Sequence, residues 1–344
     1  MTTEELAKLI GVSRVTVSKV INGGEGVSEK TCIKVREYIE KLNFVPNSGA
    51  RSLVGKHERI LGLFSAYSES NSGAGKSITS HFATEMINLV VSEAQKKGYK
   101  TLVQLTEGDK EIREIDHMLA SHMVSGAILL GYETGNKSII TLADRDYPLV
   151  LVNQERDSFR PNVAVVNMDD QASAIFAIAK LVQYGHRDIL YIGCDRHRLP
   201  AMHRNEGVDS AKVKFQQYID RLMKIDCNFN ENLAYLEVKR LYSQDGRKPT
   251  GIFAANDIMA IGAMNALKDL GFSIPGDVSI IGFDDISISR YLSPKLTTMH
   301  CDFRRIANAC VESAISLIDG TDMQRHKEVP VEFVERETLG YAKK

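Results

Sequence analysis

The 344 residues are 43% apolar and 25% charged, with 43 Lys and Arg against 44 Asp and Glu and a formal net charge of −1. That length suits two or three compact units rather than one, and no run approaches the roughly 18 consecutive apolar residues of a membrane span. The five cysteines (Cys32, Cys194, Cys227, Cys301, Cys310) form an odd set without a C-x-x-C pair. That argues against a disulfide framework, a zinc site or any metal centre, and predicts reduced thiols packed as small hydrophobes.

The opening MTTEELAKLIG carries Glu4 and Glu5 where a secretory signal would be positive, and no long apolar run follows. This predicts a cytoplasmic protein with no membrane partner. Residues 1–45 predict three short helices. Leu6, Ala7, Leu9 and Ile10 form an apolar stripe that stops at Gly11. Ser13 caps a second helix, which runs to about Ile21 and is stopped by Asn22-Gly23-Gly24. Ser28 caps a third, with Val35, Tyr38, Ile39 and Leu42 spaced to face a core, and Pro46 excludes helical geometry at Val45. Residues 1–60 hold ten Lys and Arg against seven Glu, a mildly basic head on an acidic body that is compatible with DNA binding.

From Arg59 the pattern changes to short apolar runs alternating with amphipathic stretches. The runs are Ile60–Phe64, Thr101–Leu105, Ala127–Leu130, Leu149–Val152, Ile189–Ile192, Ile252–Ala255 and Val278–Phe283. The stretches include Phe82–Lys97, Ala172–Tyr184, Lys212–Met223 and Ile258–Leu270. Such alternation predicts an α/β body of βαβ units with parallel sheets, and its length predicts two similar doubly wound lobes. No G-x-G-x-x-G opens the first unit, no G-x-S-x-G elbow or H-E-x-x-H motif occurs, and GAGKS lacks the first glycine of a phosphate loop. No enzyme and no cofactor is expected.

Ala7, Gly11 and Val17 together have the logic of a helix-turn-helix. A small residue permits close approach, glycine makes the turn, and an apolar residue sets the crossing, so that the helix from Arg14 presents its N-terminal residues to the major groove. The wider string GVSRVTVSKVING…VSEKT…VREYIEKLNFVPNSGARSL resembles the headpiece of the lactose repressor family. GHRDILYIG, PTGIFAANDIMAIGAMNAL, PGDVSIIGFDD, LSPKLTTM and PVEFVERET extend the resemblance over nearly the whole chain. It implies a repressor that binds a palindromic double-stranded operator as a homodimer, under control of a small effector, a sugar. A stand-alone sugar receptor would share the body but not the headpiece.

The resemblance implies a headpiece over 1–46 and a hinge helix with linker over 47–58. The remainder, 59–344, is implied to be an effector-binding and dimerisation body like the periplasmic sugar-binding proteins. Its first lobe covers about 59–166 and 300–322, its second about 167–299 and 323–340. The dimer is expected through first-lobe helices around Phe82–Lys97 and Glu111–Met123. The chain ends soon after the last body strand, so no tetramer-forming tail is expected. Arg14, Val15 and Lys19 match base-reading positions, since Arg can grip guanine and Val can meet a thymine methyl. Thr16, Ser18, Asn22, Ser28 and Thr31 match phosphate contacts. Asn47, Ala50, Arg51 and Leu53 fall on the hinge helix, with Leu53 the minor-groove wedge.

For the effector, the resemblance implies polar residues at strand ends. Asn153, Asn256 and Asp284 are the expected contacts, whereas Asp257 is expected to cap a helix and Asp285 to hold a turn. Phe303 matches an aromatic ring laid against the sugar, with Cys301 beside it and His81 and Phe82 on the facing wall. Residues 65–80 are longer than the family's loop at that place and read as a surface loop or cleft rim. An arginine is expected from 194–211, with Arg204, three before Gly207, as one candidate and Lys212 as another. The strand that follows is expected to be shortened around Asp226–Asn232.

Overall fold

Among the described residues the N-terminal unit holds three helices, α1 (Thr3–Ile10), α2 (Arg14–Ile21) and α3 (Glu29–Lys41). A computed structural model describes residues 3–21, 26–42, 59–66, 81–106, 109–155, 160–194 and 197–343, and contacts divide the chain after Glu58. Leu6, Ala7, Ile10, Val17, Val20 and Val35 are buried together. Gly11 adopts φ +76, the left-handed conformation that lets the chain reverse between α1 and α2. Lys34 reaches from α3 to the Ile10 carbonyl at 3.0 Å, satisfying an acceptor that the end of α1 leaves open. Two members of the expected stripes do not face this core. Leu9 is 58% and Leu42 41% exposed, because a headpiece this small buries only a narrow stripe of each helix.

The unit from Arg59 onward contains two six-stranded sheets. The first is made of β1 (Ile60–Ala66), β2 (Lys100–Thr106), β3 (Gly126–Leu130), β4 (Leu149–Val152), β5 (Val163–Met168) and β11 (His326–Val329), in the order β11-β5-β4-β3-β1-β2. All its pairings are parallel. Side chains alternate between its faces. Leu61, Leu63, Ile128, Leu130, Val150 and Val152 join the core that includes Met86 and Val90 of α4 (His81–Lys96) and Ile306 and Val311 of α11 (Phe303–Ile318). Phe64, Ala127, Leu129, Leu149 and Leu151 pack on Ile112, Ile115 and Leu119 of α5 (Asp109–Ala120) and Ile139 and Leu142 of α6 (Lys137–Ala143).

The second sheet holds β6 (Asp188–Gly193), β7 (Arg221–Asp226), β8 (Gly251–Ala254), β9 (Ser279–Asp284), β10 (Thr297–Cys301) and β12 (Val331–Val334), in the order β12-β10-β9-β8-β6-β7. Among the described residues only the edge strand β12 runs antiparallel, against β10. Helices α7 (Asp170–Gln183), α8 (Leu199–Lys214), α9 (Glu231–Ser243) and α10 (Asp257–Asp269) accompany it, α7 packing on α8 and α9 on α10. These pairs approach closely at glycines. A Cβ on Gly207 would strike the Gln171 carbonyl, and one on Gly262 the Glu231 carbonyl.

Two segments depart from expectation. The stretch Lys212–Met223 is not one helix, since α8 starts at Leu199 and ends at Lys214, and β7 begins at Arg221. The apolar residues after Phe215 belong to a strand pairing with β6 from Asp188↔Arg221 to Gly193↔Asp226, so the strand expected to be shortened beyond Asp226 lies before it. Residues 323–340, expected in the second lobe, are divided. β11 pairs with β5 in the first sheet and β12 with β10 in the second, with Pro330, which has no N–H to donate to either sheet, between them. The chain thus crosses between the sheets three times, at Asp169, Asp302 and Pro330.

Candidate functional site

In the N-terminal unit, α2 begins with its hydrogen-bonding needs met by serine. Ser13 Oγ accepts from Thr16 N at 3.0 Å and exchanges a bond with Thr16 Oγ1 at 2.8 Å. Ser28 and Thr31 repeat the arrangement at the start of α3. With Val17 and Val20 buried, the outer face of α2 presents Arg14, Val15 and Lys19 to solvent, and Val15 is 65% exposed. An exposed β-branched residue flanked by cations suits apolar contact with a base and charged contact with phosphate or guanine. Thr16 and Ser18 are half-buried beside them and Ser28 and Thr31 lie at the next helix start. Asn22, Asn47, Ala50, Arg51 and Leu53 lie outside the described residues.

In the body, both sheets reverse their strand order at one place, between β1 and β3 in the first and between β6 and β8 in the second. Ligands of open parallel sheets bind beyond the strands' C-terminal ends at such points. Arg204, on the helix that follows β6, occupies that place in the second lobe and is 3% exposed. Its Nε donates to Asp170 Oδ1 at 2.7 Å and its Nη1 to the Ala255 carbonyl. Nη2 lies 3.8 Å from Asp284 Oδ1, and the guanidinium stacks 3.5 Å from the centre of the Phe283 ring. Lys212 is exposed in the last turn of α8, about two turns beyond Arg204.

The electrostatics of this cluster are unequal. Burial opposes the Arg204 charge, but Asp170 and Asp284 hold the guanidinium above its ordinary value. Burial pushes the Asp170 carboxyl up, against the pull of Arg204. Asp284 is pushed up to about 8, by burial first and then by Asp257, Asp170 and Glu85, which together outweigh Arg204. Burial and the neighbouring Asp284 also raise the Cys301 thiol, so it serves as a neutral, weak hydrogen-bonding group. Asn153, Asp284 and Asp285 have positive φ values of 59, 108 and 57. Such backbone strain at non-glycine residues concentrates at ligand sites.

A pH dependence follows. Because the folded Asp284 pKa of about 8 lies above the ordinary carboxyl value of 3.8, folding retains its proton. The resulting stability is complete below pH ~4, declines as pH rises, and is gone above pH ~8. Chemical denaturation from pH 5 to 9 is expected to show this slope in the wild type and a flatter one in Asp284→Asn.

From the first lobe, Phe82 and Phe303 meet edge-on with ring centres 5.5 Å apart. Phe303 opens α11, whose cap is Asp302 accepting from Arg305 N at 2.9 Å. His81 is exposed at the first position of α4, and Asn153 is half-buried just past β4. The lobes touch through Thr134 N donating to the His197 carbonyl at 2.9 Å. β1 continues through Ala66, and the rest of the expected loop, 67–80, lies outside the described residues.

The cap of α10 falls one residue before the expected one. Asn256, expected on the ligand, caps α10 by accepting from Met259 N at 2.9 Å, because its extended φ and ψ of −153 and 166 suit an N-cap. Asp257, expected as the cap, is fully buried and ties down the chain after β9. It accepts from Ile286 N at 2.9 Å, Ser289 Oγ at 2.6 Å and Thr298 Oγ1 at 2.6 Å. Asp285 holds Arg336 at 2.7 Å and His300 at 3.0 Å. Asp170 and Glu85 carry no signal of their own in the sequence. An Asp169-Asp170 pair ahead of a helical stretch signals a cap, which Asp169 supplies, and nothing local marks Asp170 as the partner of a residue 34 positions away.

Comparison with known proteins agrees with this architecture. Residues 2–47 match the bacterial regulatory proteins of the lacI family, and 178–339 match a periplasmic binding protein-like domain. The chain is 30% identical to the HTH-type transcriptional repressor PurR of Aliivibrio fischeri, over 98% of both proteins. It is 29% identical to the probable HTH-type transcriptional repressor ExuR of Bacillus subtilis, again over 98% of both. A crystal structure of the lac repressor dimer bound to operator and the anti-inducer ONPF superposes with a TM-score of 0.85, at 25% identity and covering 98% of each chain.

Proposed function

Because the chain belongs to the lacI family of bacterial regulatory proteins and is a DNA-binding transcriptional regulator of that family, we propose that it represses transcription from a palindromic operator under control of a sugar. Residues 1–46 are the headpiece, 47–58 the hinge helix and linker, and the body from 59 carries the effector site and the dimer contacts. The lac repressor dimer bound to operator supports the two-fold reading, in which half-site spacing mirrors protein symmetry. The dimer forms through α4 and α5, and the protein acts in the cytoplasm.

Arg14 and Lys19 reach base edges, Val15 meets a thymine methyl, and Thr16, Ser18, Asn22, Ser28 and Thr31 set register on phosphates. Asn47, Ala50 and Arg51 contact DNA, and Leu53 wedges into the minor groove. Arg14→Ala is expected to cost about 1–3 kcal/mol and to relax preference at one symmetric pair of positions. Titration against operators substituted at each position measures this, and a loss spread evenly over all positions would assign Arg14 to phosphate instead.

The observation that carries the effector reading is the strained, buried Asp284 beside Arg204 at the sheet's switch point. Asp284 accepts from sugar hydroxyls, Arg204 holds it in place, and Asn153 and the amide nitrogen of Asn256 complete the polar ring. Phe82 and Phe303 supply an apolar face, with His81 and Cys301 at its margins. Closure of the lobes on the sugar shifts the equilibrium between DNA-competent and incompetent dimers. Calorimetric titration of the full chain with a panel of neutral sugars, uronates and purine bases tests the class. Saturable binding of a sugar, weakened in Asp284→Ala, supports it, and binding of purines alone overturns it.

A further inference from the structure

Away from the inter-lobe cleft, a cavity of about 340 Å³ lies between α11 and the edge strand β11. Its floor is apolar, with Ala309 9% and Val329 3% exposed. Its walls carry Arg305, His326, Lys327 and Glu328. Neither Arg305 nor Lys327 has an ion-pair partner among the described residues, whereas the adjacent Arg304 is held by Glu93 at 3.1 Å. A concave site with an apolar floor and an excess of cations is complementary to a small anion.

The cavity also stands where the lobes are joined. Arg305 is three residues past the Asp302 crossover, and Val329 immediately precedes the one at Pro330. His326 Nε2 lies 3.4 Å from Asn167 Nδ2. Asn167 in turn clasps Gln154, donating to its carbonyl at 2.8 Å and accepting from its N–H at 3.1 Å. Gln154 Nε2 continues to the Tyr132 carbonyl at 2.9 Å, and Gln154 follows Asn153 at the cleft.

We propose that this cavity is a second ligand site, taking a small phosphorylated metabolite whose charge binds Arg305 and Lys327 and so fastens α11 to β11 beside two of the three crossovers. The binding claim does not depend on which effector fills the cleft. The site answers to a ligand that is charged and compact, and its occupant changes the freedom of these crossovers rather than the shape of the cleft.

The test is calorimetric titration of the full chain with sodium pyrophosphate, at ionic strength fixed with sodium chloride, together with amide hydrogen exchange. The expected result is saturable binding with slowed exchange in 303–309 and 326–329. Arg305→Ala, at an exposed position, and Lys327→Ala, at a half-buried one, should each weaken binding about tenfold or more, and Glu328→Gln should tighten it. Absence of saturable binding at millimolar pyrophosphate, unchanged affinity in both variants, or protection confined to the headpiece residues 14–31 would each overturn the proposal.

Discussion

Arg204→Ala is expected to destabilise the body by about 3–5 kcal/mol and to abolish the effector response. The guanidinium is buried, and its removal leaves Asp170 without its 2.7 Å partner, strips the Ala255 carbonyl of a donor and deprives Asp284 of its nearby positive charge. Each loss leaves a buried polar group without compensation, which costs more than the original bond contributed. Urea denaturation measures the effect. Asp170→Asn introduced into the Arg204→Ala background should recover part of the loss, because the orphaned charge is then gone. A change below about 1 kcal/mol in the single variant would mean that the cluster is solvated.

The second large effect is expected at Asp257, and it separates scaffold from ligand contact. Asp257→Ala removes the acceptor of Ile286 N, Ser289 Oγ and Thr298 Oγ1, leaving three buried donors to find other partners. At about 1–3 kcal/mol for each donor left unsatisfied, a total loss of roughly 3–5 kcal/mol is expected after partial relaxation. Asp257→Asn should cost less, since the Thr298 hydroxyl can rotate to accept from the new amide. Burial pushes the Asp257 carboxyl up to about 6, so near neutrality the side chain is still mainly the carboxylate that its three donors hold. If Asp257→Asn folds with wild-type stability but loses sugar affinity, Asp257 belongs to the ligand and not to the scaffold.

Much of this architecture is legible in the sequence because its signals are local. Ser13 and Ser28 cap the helices they precede, Gly11 makes the turn that needs its positive φ, and the buried parallel strands are continuous apolar runs. What escapes the sequence depends on distant partners. The apolar residues around Leu222 and Ile225 are compatible with either a helix or an edge strand, and pairing with β6 decides for the strand. His326–Val329 and Val331–Val334 are four-residue strands a single residue apart, yet they join different sheets.

The site shows the same division. Arg204, the strained Asp284 and the contact of Phe82 with Phe303 concern residues that the sequence brings forward. Asp170 becomes visible only when α7 and α8 are packed together, because its partner is set by tertiary contact. Asn256 and Asp257 are both competent caps by type, and the backbone angles at their junction decide which residue caps and which turns inward.

The most direct measurement is selection of bound sequences by the full chain from a random duplex pool at physiological salt, where phosphate contacts alone give only weak binding. The account predicts recovery of a palindrome with a flexible central step, which the Leu53 pair can open at modest cost, and a change in its yield when the effector sugar is added. Recovery of a single half-site, or of no motif from a protein shown to be folded with and without the sugar panel, would contradict it.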